Sequence, residues 1–153
     1  MIELEPIGHV AGGRAEVRDD DWGAVTATIR LDDRFEPQAL AGLEAFSHLE
    51  VVYLFDRVDP AGVEHGARHP RGNRDWPKVG IFAQRAKDRP NRLGVSRCTL
   101  LRVDAPELHV QGLDAVDGTP VLDLKPWMDE FGPLGETHQP AWSRELMGGY
   151  WRS

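Results

Sequence analysis

Hydrophobic and polar positions alternate most clearly between Ala24 and Leu31, with Val25, Ala27, Ile29 and Leu31 on one side and Ala24, Thr26, Thr28 and Arg30 on the other. A period of two marks a half-buried strand. Leu40 and Leu43 sit at helical spacing within Pro37 to Phe46, and Ser47 to Phe55 is then rich in β-branched and aromatic residues. A short helix is therefore expected to lead into a central strand. Val79 to Gln84, Val95 to Val103 and Glu107 to Gly112 read as further strands, with turns at Pro90 Asn91, Pro106 and Asp117 Gly118. Asp56 to Lys78 carries Pro60, Gly62, Gly66, Pro70, Gly72 and Pro77 and reads as a long surface loop, a feature that is often functional. Near the end, Pro140 opens one short helix in which Trp142, Leu146 and Tyr150 recur every four residues, with Gly148 Gly149 at its close. Many short strands between frequent turns predict a mainly β chain, a barrel or a sandwich, forming a single domain over residues 1–153.

Composition narrows this. A chain of 153 residues with 41% hydrophobic and 28% charged side chains has the apolar content of one folded core and is unlike a disordered segment. The longest apolar run, Val51 to Phe55, falls far short of the roughly 20 residues of a membrane-spanning helix. The acidic start Met1 Ile2 Glu3 Leu4 Glu5 does not look like an export signal. Cys98 is the lone cysteine and sits in a strand-like context, which fits an inert core thiol in a reducing cytoplasm.

Net charge is −7, yet Glu64 to Arg102 holds ten basic residues against three acids. Positive charge gathered in one stretch is the footprint of a partner such as nucleic acid, and it is also what an arginine-rich solvated loop looks like. Common catalytic signatures are missing. Neither a G-x-G-x-x-G turn, a phosphate loop nor a G-x-S-x-G elbow occurs, so the doubly wound nucleotide fold and serine hydrolase chemistry are both unsupported. His65 and His69 have zinc-helix spacing but lie among glycines and prolines, so no metal site is expected.

Two segments remain. Val79 to Arg85 runs from an apolar strand into Arg85 Ala86 Lys87 Asp88 Arg89 Pro90 Asn91 Arg92, where cations at a strand end can hold an anion. Asp117 Gly118 Thr119 Pro120 supplies a tight turn, beyond which Asp123 and Lys125 alternate with Leu122 and Leu124. Taken alone, both also read as ordinary β-turns with an Asx cap.

The order and spacing of four segments resemble the TsaA-like tRNA methyltransferase family. They are Gly42 Leu43 Glu44 Ala45 Phe46 Ser47 His48 Leu49; Val79 Gly80 Ile81 Phe82 Ala83 with Arg85; Arg89 Pro90 Asn91 with Leu93, Gly94 and Ser96; and Leu113 Asp114 through Asp117 Gly118 Thr119 Pro120 Val121 Leu122 Asp123 to Lys125 Pro126. The resemblance implies a compact β-barrel that dimerises, binds S-adenosylmethionine without a Rossmann fold, and methylates N6 of N6-threonylcarbamoyladenosine beside the tRNA anticodon. It implies a cofactor site at Asp56, Arg57, Arg85, Val95, Leu113, Asp114, Gly118 and Thr119, with Arg14 substituting for a Pro-Arg-Gln segment common in the family. Asp114, Asp117 and Asp123 are then candidates for the proton acceptor, and Lys125 joins them in the catalytic set. Arg89, Arg92 and Lys125 are candidates for the threonylcarbamoyl carboxylate, Asn91 joins the substrate-binding set, and Arg68, Arg71, Arg74 and Lys78 are candidates for tRNA phosphates. Rival readings are a methyltransferase of the same fold with another substrate, and a noncatalytic RNA-binding barrel.

Overall fold

The computed structural model describes residues 1–152. Six antiparallel strands close into a barrel: β1 (Gly8–Ala11), β2 (Thr26–Leu31), β3 (His48–Leu54), β6 (Leu93–Asp104), β7 (Glu107–Gln111) and β8 (Pro120–Pro126). Around the barrel the order is β1, β2, β7, β6, β3, β8 and back to β1, while β4 (Ala67–Arg68) and β5 (Val79–Gly80) form a separate two-stranded ribbon. Closure removes the exposed strand edges that an open sheet would carry.

Alternation decides which side chains face inward. On β3, Leu49, Val51 and Tyr53 are buried while His48, Glu50, Val52 and Leu54 point outward. With Val10, Ile29, Leu31, Cys98, Leu108, Val110, Leu113 and Val121 they fill the barrel. Fully burying a Val, Leu or Ile side chain contributes roughly 1.5–3 kcal/mol, so this inner layer supplies the main driving force for closure. Bulges shift the register between Val52 and Tyr53 on the β3–β8 pairing and between Leu100 and Arg102 on β6–β7. Such insertions bend strands and help a small barrel close.

The expected barrel is present, and several elements differ in extent. Pro37 to Phe46 forms two 3₁₀ turns, Pro37–Leu40 and Leu43–Ala45, in place of a helix. Gly42 at φ +89° separates them. Val79 to Gln84 is a strand for only two residues before turning at Ile81–Ala83, because Ile81 turns inward to full burial. The C-terminal helix, α1 (Ala141–Met147), ends before Gly148, so Tyr150 lies past it.

Because every pairing is antiparallel, the ends of β1, β3 and β7 and the starts of β2, β6 and β8 emerge on one rim. Loop 12–25, the Phe55 to Val58 turn and the 112–119 bend all leave from it.

Candidate functional site

Arg57 is the keystone of this rim. It follows β3 and donates through Nη1 to the Ala15 carbonyl at 2.8 Å and through Nη2 to the Asp117 carbonyl at 3.2 Å. One guanidinium therefore bridges the loop after β1 and the bend before β8. Backbone bonds reinforce the junction: Asp117 N donates to Arg14 O at 2.8 Å, and Gly118 N to Val10 O at 2.7 Å. The Asp117 carboxylate accepts from Gly12 N at 2.9 Å, so this side chain caps a neighbouring loop and not its own turn. Gly12 at φ +76° and Gly118 at φ +88° occupy left-handed conformations that disfavour a β-carbon.

Asp114 stands at the centre of the bend. Its Oδ1 accepts from the Tyr53 hydroxyl at 3.1 Å, and its Oδ2 accepts from the Tyr150 hydroxyl. Burial first and the Asp114 charge second push both phenols well above the ordinary tyrosine range, and the nearby Arg85 guanidinium partly opposes this. Arg85 meets this neighbourhood through β6, where Gly94 packs against the Tyr53 ring and Val95 follows it. Its Nη2 donates to Val95 O at 2.7 Å, holding the exposed start of β6.

The remaining candidates fall into groups. Leu113 is buried in the core, and the Thr119 hydroxyl is buried and donates to Val116 O at 2.7 Å, leaving their backbones as the available parts. Asp56 is exposed at the rim, and its carboxylate makes no hydrogen bond or ion pair among the described residues. Arg14 stacks 4.2 Å over the Trp22 ring and donates to Asp20 O and Asp21 O, which fixes it within its own loop. Arg89 donates to Gln84 O at 2.6 Å, and Arg92 to Val58 O at 2.9 Å. Both therefore brace the 84–92 segment, where Asn91 at φ +62° takes a turn conformation that asparagine tolerates.

In the basic loop, Arg68 pairs with Asp88 at 3.1 Å and Arg71 with Asp20 at 3.2 Å. Arg74 and Lys78 are exposed and form no ion pair among the described residues. The loop is held beside the rim by Arg71 and by Trp76, whose Nε1 donates to Glu145 of α1 at 2.7 Å.

Asp123 and Lys125 do not join the rim of their own chain. They pair with each other at 3.4 Å on the outer face of β8, opposite Val52 and Glu50. At ~3.3 Å per residue they stand roughly 13 and 20 Å along the strand from Thr119. Asp123 instead borders an apolar cavity of about 500 Å³ lined by Ile7, Leu31, Phe35, Leu40, Leu43 and Leu124 at the opposite end of the barrel. That lining offers few polar groups, so the rim is the better place for a charged nucleotide.

Sequence reasoning missed Tyr53, Gly94, Trp22 and Tyr150 as site builders. Tyr53 was within reach, since a phenol at an inward strand position needs a buried acceptor. Gly94 faces it: a β-carbon there would lie 2.5 Å from the Tyr53 ring. For the Tyr150 contact there was no local signal.

Comparison with known proteins places this geometry. Residues 20–132 match the model of the tRNA-methyltransferase O N-terminal domain. A putative S-adenosylmethionine-dependent methyltransferase of Pseudomonas aeruginosa is 36% identical over 143 residues, covering 88% of this chain and 58% of that protein. The tRNA (adenine(37)-N6)-methyltransferase of Escherichia coli is 40% identical over 99 residues, covering 61% of this chain and 41% of its own length. A crystal structure of the Pseudomonas aeruginosa TrmO superposes with a TM-score of 0.75 at 28% identity, covering 93% of this chain and 62% of that one. The chain spans about a fifth of its mouse relative and 58% of the Pseudomonas one. With the family model matching well over half of its residues, the chain belongs to the tRNA-methyltransferase O N-terminal domain family.

Proposed function

We propose that this protein is an S-adenosylmethionine-dependent tRNA methyltransferase acting on N6 of the adenosine 3′ to the anticodon, in its N6-threonylcarbamoyl form. The observation that carries the reading is the convergence of Arg57, Arg85 and the Asp114 bend on one barrel rim. The activities for which the relatives are named support it, and the chain's own residues suit the cofactor. Asp56 and Asp114 offer carboxylates to a cationic, amine-bearing ligand, and Arg85 offers a guanidinium to its carboxylate. When bound, S-adenosylmethionine supplies an electrophilic methyl group. The residues of the rim then hold the accepting nitrogen in line and keep water out.

That nitrogen is urea-like, and transfer is helped by removal of its proton. Asp114 and Asp117 are the two candidate carboxylates that stand on the rim of a single chain. Asp123 and Lys125 reach a reacting atom only across a contact between two copies. A homodimer through the outer face of β3 and β6 would make that contact, supported by the exposed Leu93 and Val95 and the adjacent half-exposed Val52 and Leu54. Beside the rim, Arg74 and Lys78, exposed and in no ion pair among the described residues, are cations available to tRNA phosphates, while Arg89, Asn91 and Arg92 line the segment expected to meet the threonylcarbamoyl group. A cytoplasmic location follows from a tRNA substrate.

The test is nucleoside mass spectrometry of tRNA treated with the protein and S-adenosylmethionine, using transcripts with and without the threonylcarbamoyl group. Mass gain of one methyl on the modified nucleoside alone is expected. Gain on unmodified adenosine would overturn the substrate assignment, and gain on neither would overturn the activity.

A further inference from the structure

The chain has two tyrosines, and both end on one carboxylate. Tyr53 reaches Asp114 from inside the barrel, where Gly94 leaves room for its ring and Phe55 packs edge-on at 5.3 Å. Tyr150 arrives from the opposite end of the sequence. Its backbone position is set independently of the phenol: Trp22 N donates to Tyr150 O at 2.8 Å, and Asp21 N to Gly149 O at 3.1 Å. A β-carbon at Gly23 would overlap the Trp151 carbonyl, and Arg97 lies 5.9 Å over the Trp151 ring. The segment after α1 is thus seated between loop 12–25 and β6, delivering the hydroxyl to Oδ2.

A carboxylate has about four acceptor positions, and the two phenols use one on each oxygen. One position per oxygen is left, in an orientation the two donors determine together. A single donor would leave the group free to turn about its Cβ–Cγ bond. We propose that Tyr150 is a positioning residue of the cofactor site, clamping Asp114 from the side opposite Tyr53 so that its remaining lone pairs receive an ammonium or N–H group of the cofactor. The C-terminal segment thereby becomes a wall of the site. This rests on the reading that the cofactor lies against the Asp114 bend.

The test compares the full chain with its Tyr150→Phe and Tyr53→Phe variants, each of which keeps the ring and removes only the hydroxyl. Calorimetric affinity for S-adenosylmethionine and steady-state kinetics on modified tRNA are measured on proteins whose melting temperatures are checked in parallel. Loss of a hydrogen bond to a charged group is worth about tenfold or more. The assignment expects Tyr150→Phe to weaken cofactor binding and raise the cofactor KM, by up to that factor, with the KM for tRNA unchanged. A packing role alone would lower the melting temperature without this split. Unchanged or tighter cofactor binding in Tyr150→Phe, against an active wild type, would overturn the assignment and leave the methyltransferase reading standing. Tighter binding would mean that the segment obstructs the site. A well-folded wild type that takes up no S-adenosylmethionine overturns the functional reading, and the assignment with it.

Discussion

Gly94 faces Tyr53 across the β3–β6 pairing, on the inward side of β6. Replacing it with alanine would set a β-carbon 2.5 Å from Cε2 and Cζ of the Tyr53 ring and 3.0 Å from Cζ of Phe55. Normal carbon contacts lie near 3.5–4.0 Å, so the ring must shift by about 1 Å or more. It has little freedom to do so, because Tyr53 is only 2% exposed and its hydroxyl is held by Asp114. Overpacking of this kind costs typically ~1–3 kcal/mol. For a domain of this size each kcal/mol lowers the melting temperature by roughly 2–4 °C, which gives a fall of about 2–12 °C. Thermal and urea unfolding followed by circular dichroism would read it. Combining Gly94→Ala with Tyr53→Leu should recover part of the loss, since the smaller side chain removes the overlap, and the coupling energy from the cycle should exceed about 0.5 kcal/mol. Gly94→Ala with wild-type stability, or strictly additive losses in the double variant, would refute the steric reasoning.

Other outcomes follow from the same geometry. Arg57→Ala loses two hydrogen bonds to carbonyls, so stability should fall by about 1–3 kcal/mol, while calorimetry should show a larger proportional loss of S-adenosylmethionine affinity because both loops of the rim are released. Both tyrosines have folded-state pKa values raised by burial and by Asp114. The unfolded chain therefore gives up these protons first, near pH ~10. Stability from this pair is complete below that pH and is lost as pH rises beyond it, and an absorbance titration of the native protein should show no tyrosinate step near 10. The Cys98 thiol is buried and pushed up to about 12, so native-state labelling by a thiol reagent at neutral pH should be far slower than after unfolding. Neutralising Arg74 and Lys78 together should flatten the salt dependence of tRNA binding by about 1–2 in slope. Neutralising Arg68 and Arg71 should do less, because carboxylates already engage them.

Strand periodicity made most of the barrel legible. The alternation over β2 and the β-branched run of β3 mark their inward faces directly, as Ile29, Leu31, Leu49 and Val51 demonstrate. Ile81 was hard to read because an apolar run gives no hint that the chain will turn inward after two residues of strand. The bend at Asp117 Gly118 was visible as turn chemistry, yet its cap on Gly12 depends on barrel closure, which joins the first and last strands of the sheet. Arginines were legible as a charged stretch and illegible as individuals. Whether one meets a carboxylate, as Arg71 does, or a carbonyl, as Arg89 does, is decided by loop packing. Tyr150 was the hardest case, since its partner lies 36 residues away in sequence and the two meet through segments with no regular structure.

The central claim is that the rim holding Arg57, Arg85 and Asp114 receives S-adenosylmethionine. The most direct measurement is calorimetric titration of the wild-type protein, with Arg85→Ala alongside and Arg102→Ala, on the far part of β6, as control. The account expects one saturable site per chain in wild type and control, and at least about tenfold weaker binding in Arg85→Ala. A folded wild type that releases no binding heat across a range of temperatures, or an Arg85→Ala variant that binds as wild type does, would contradict it.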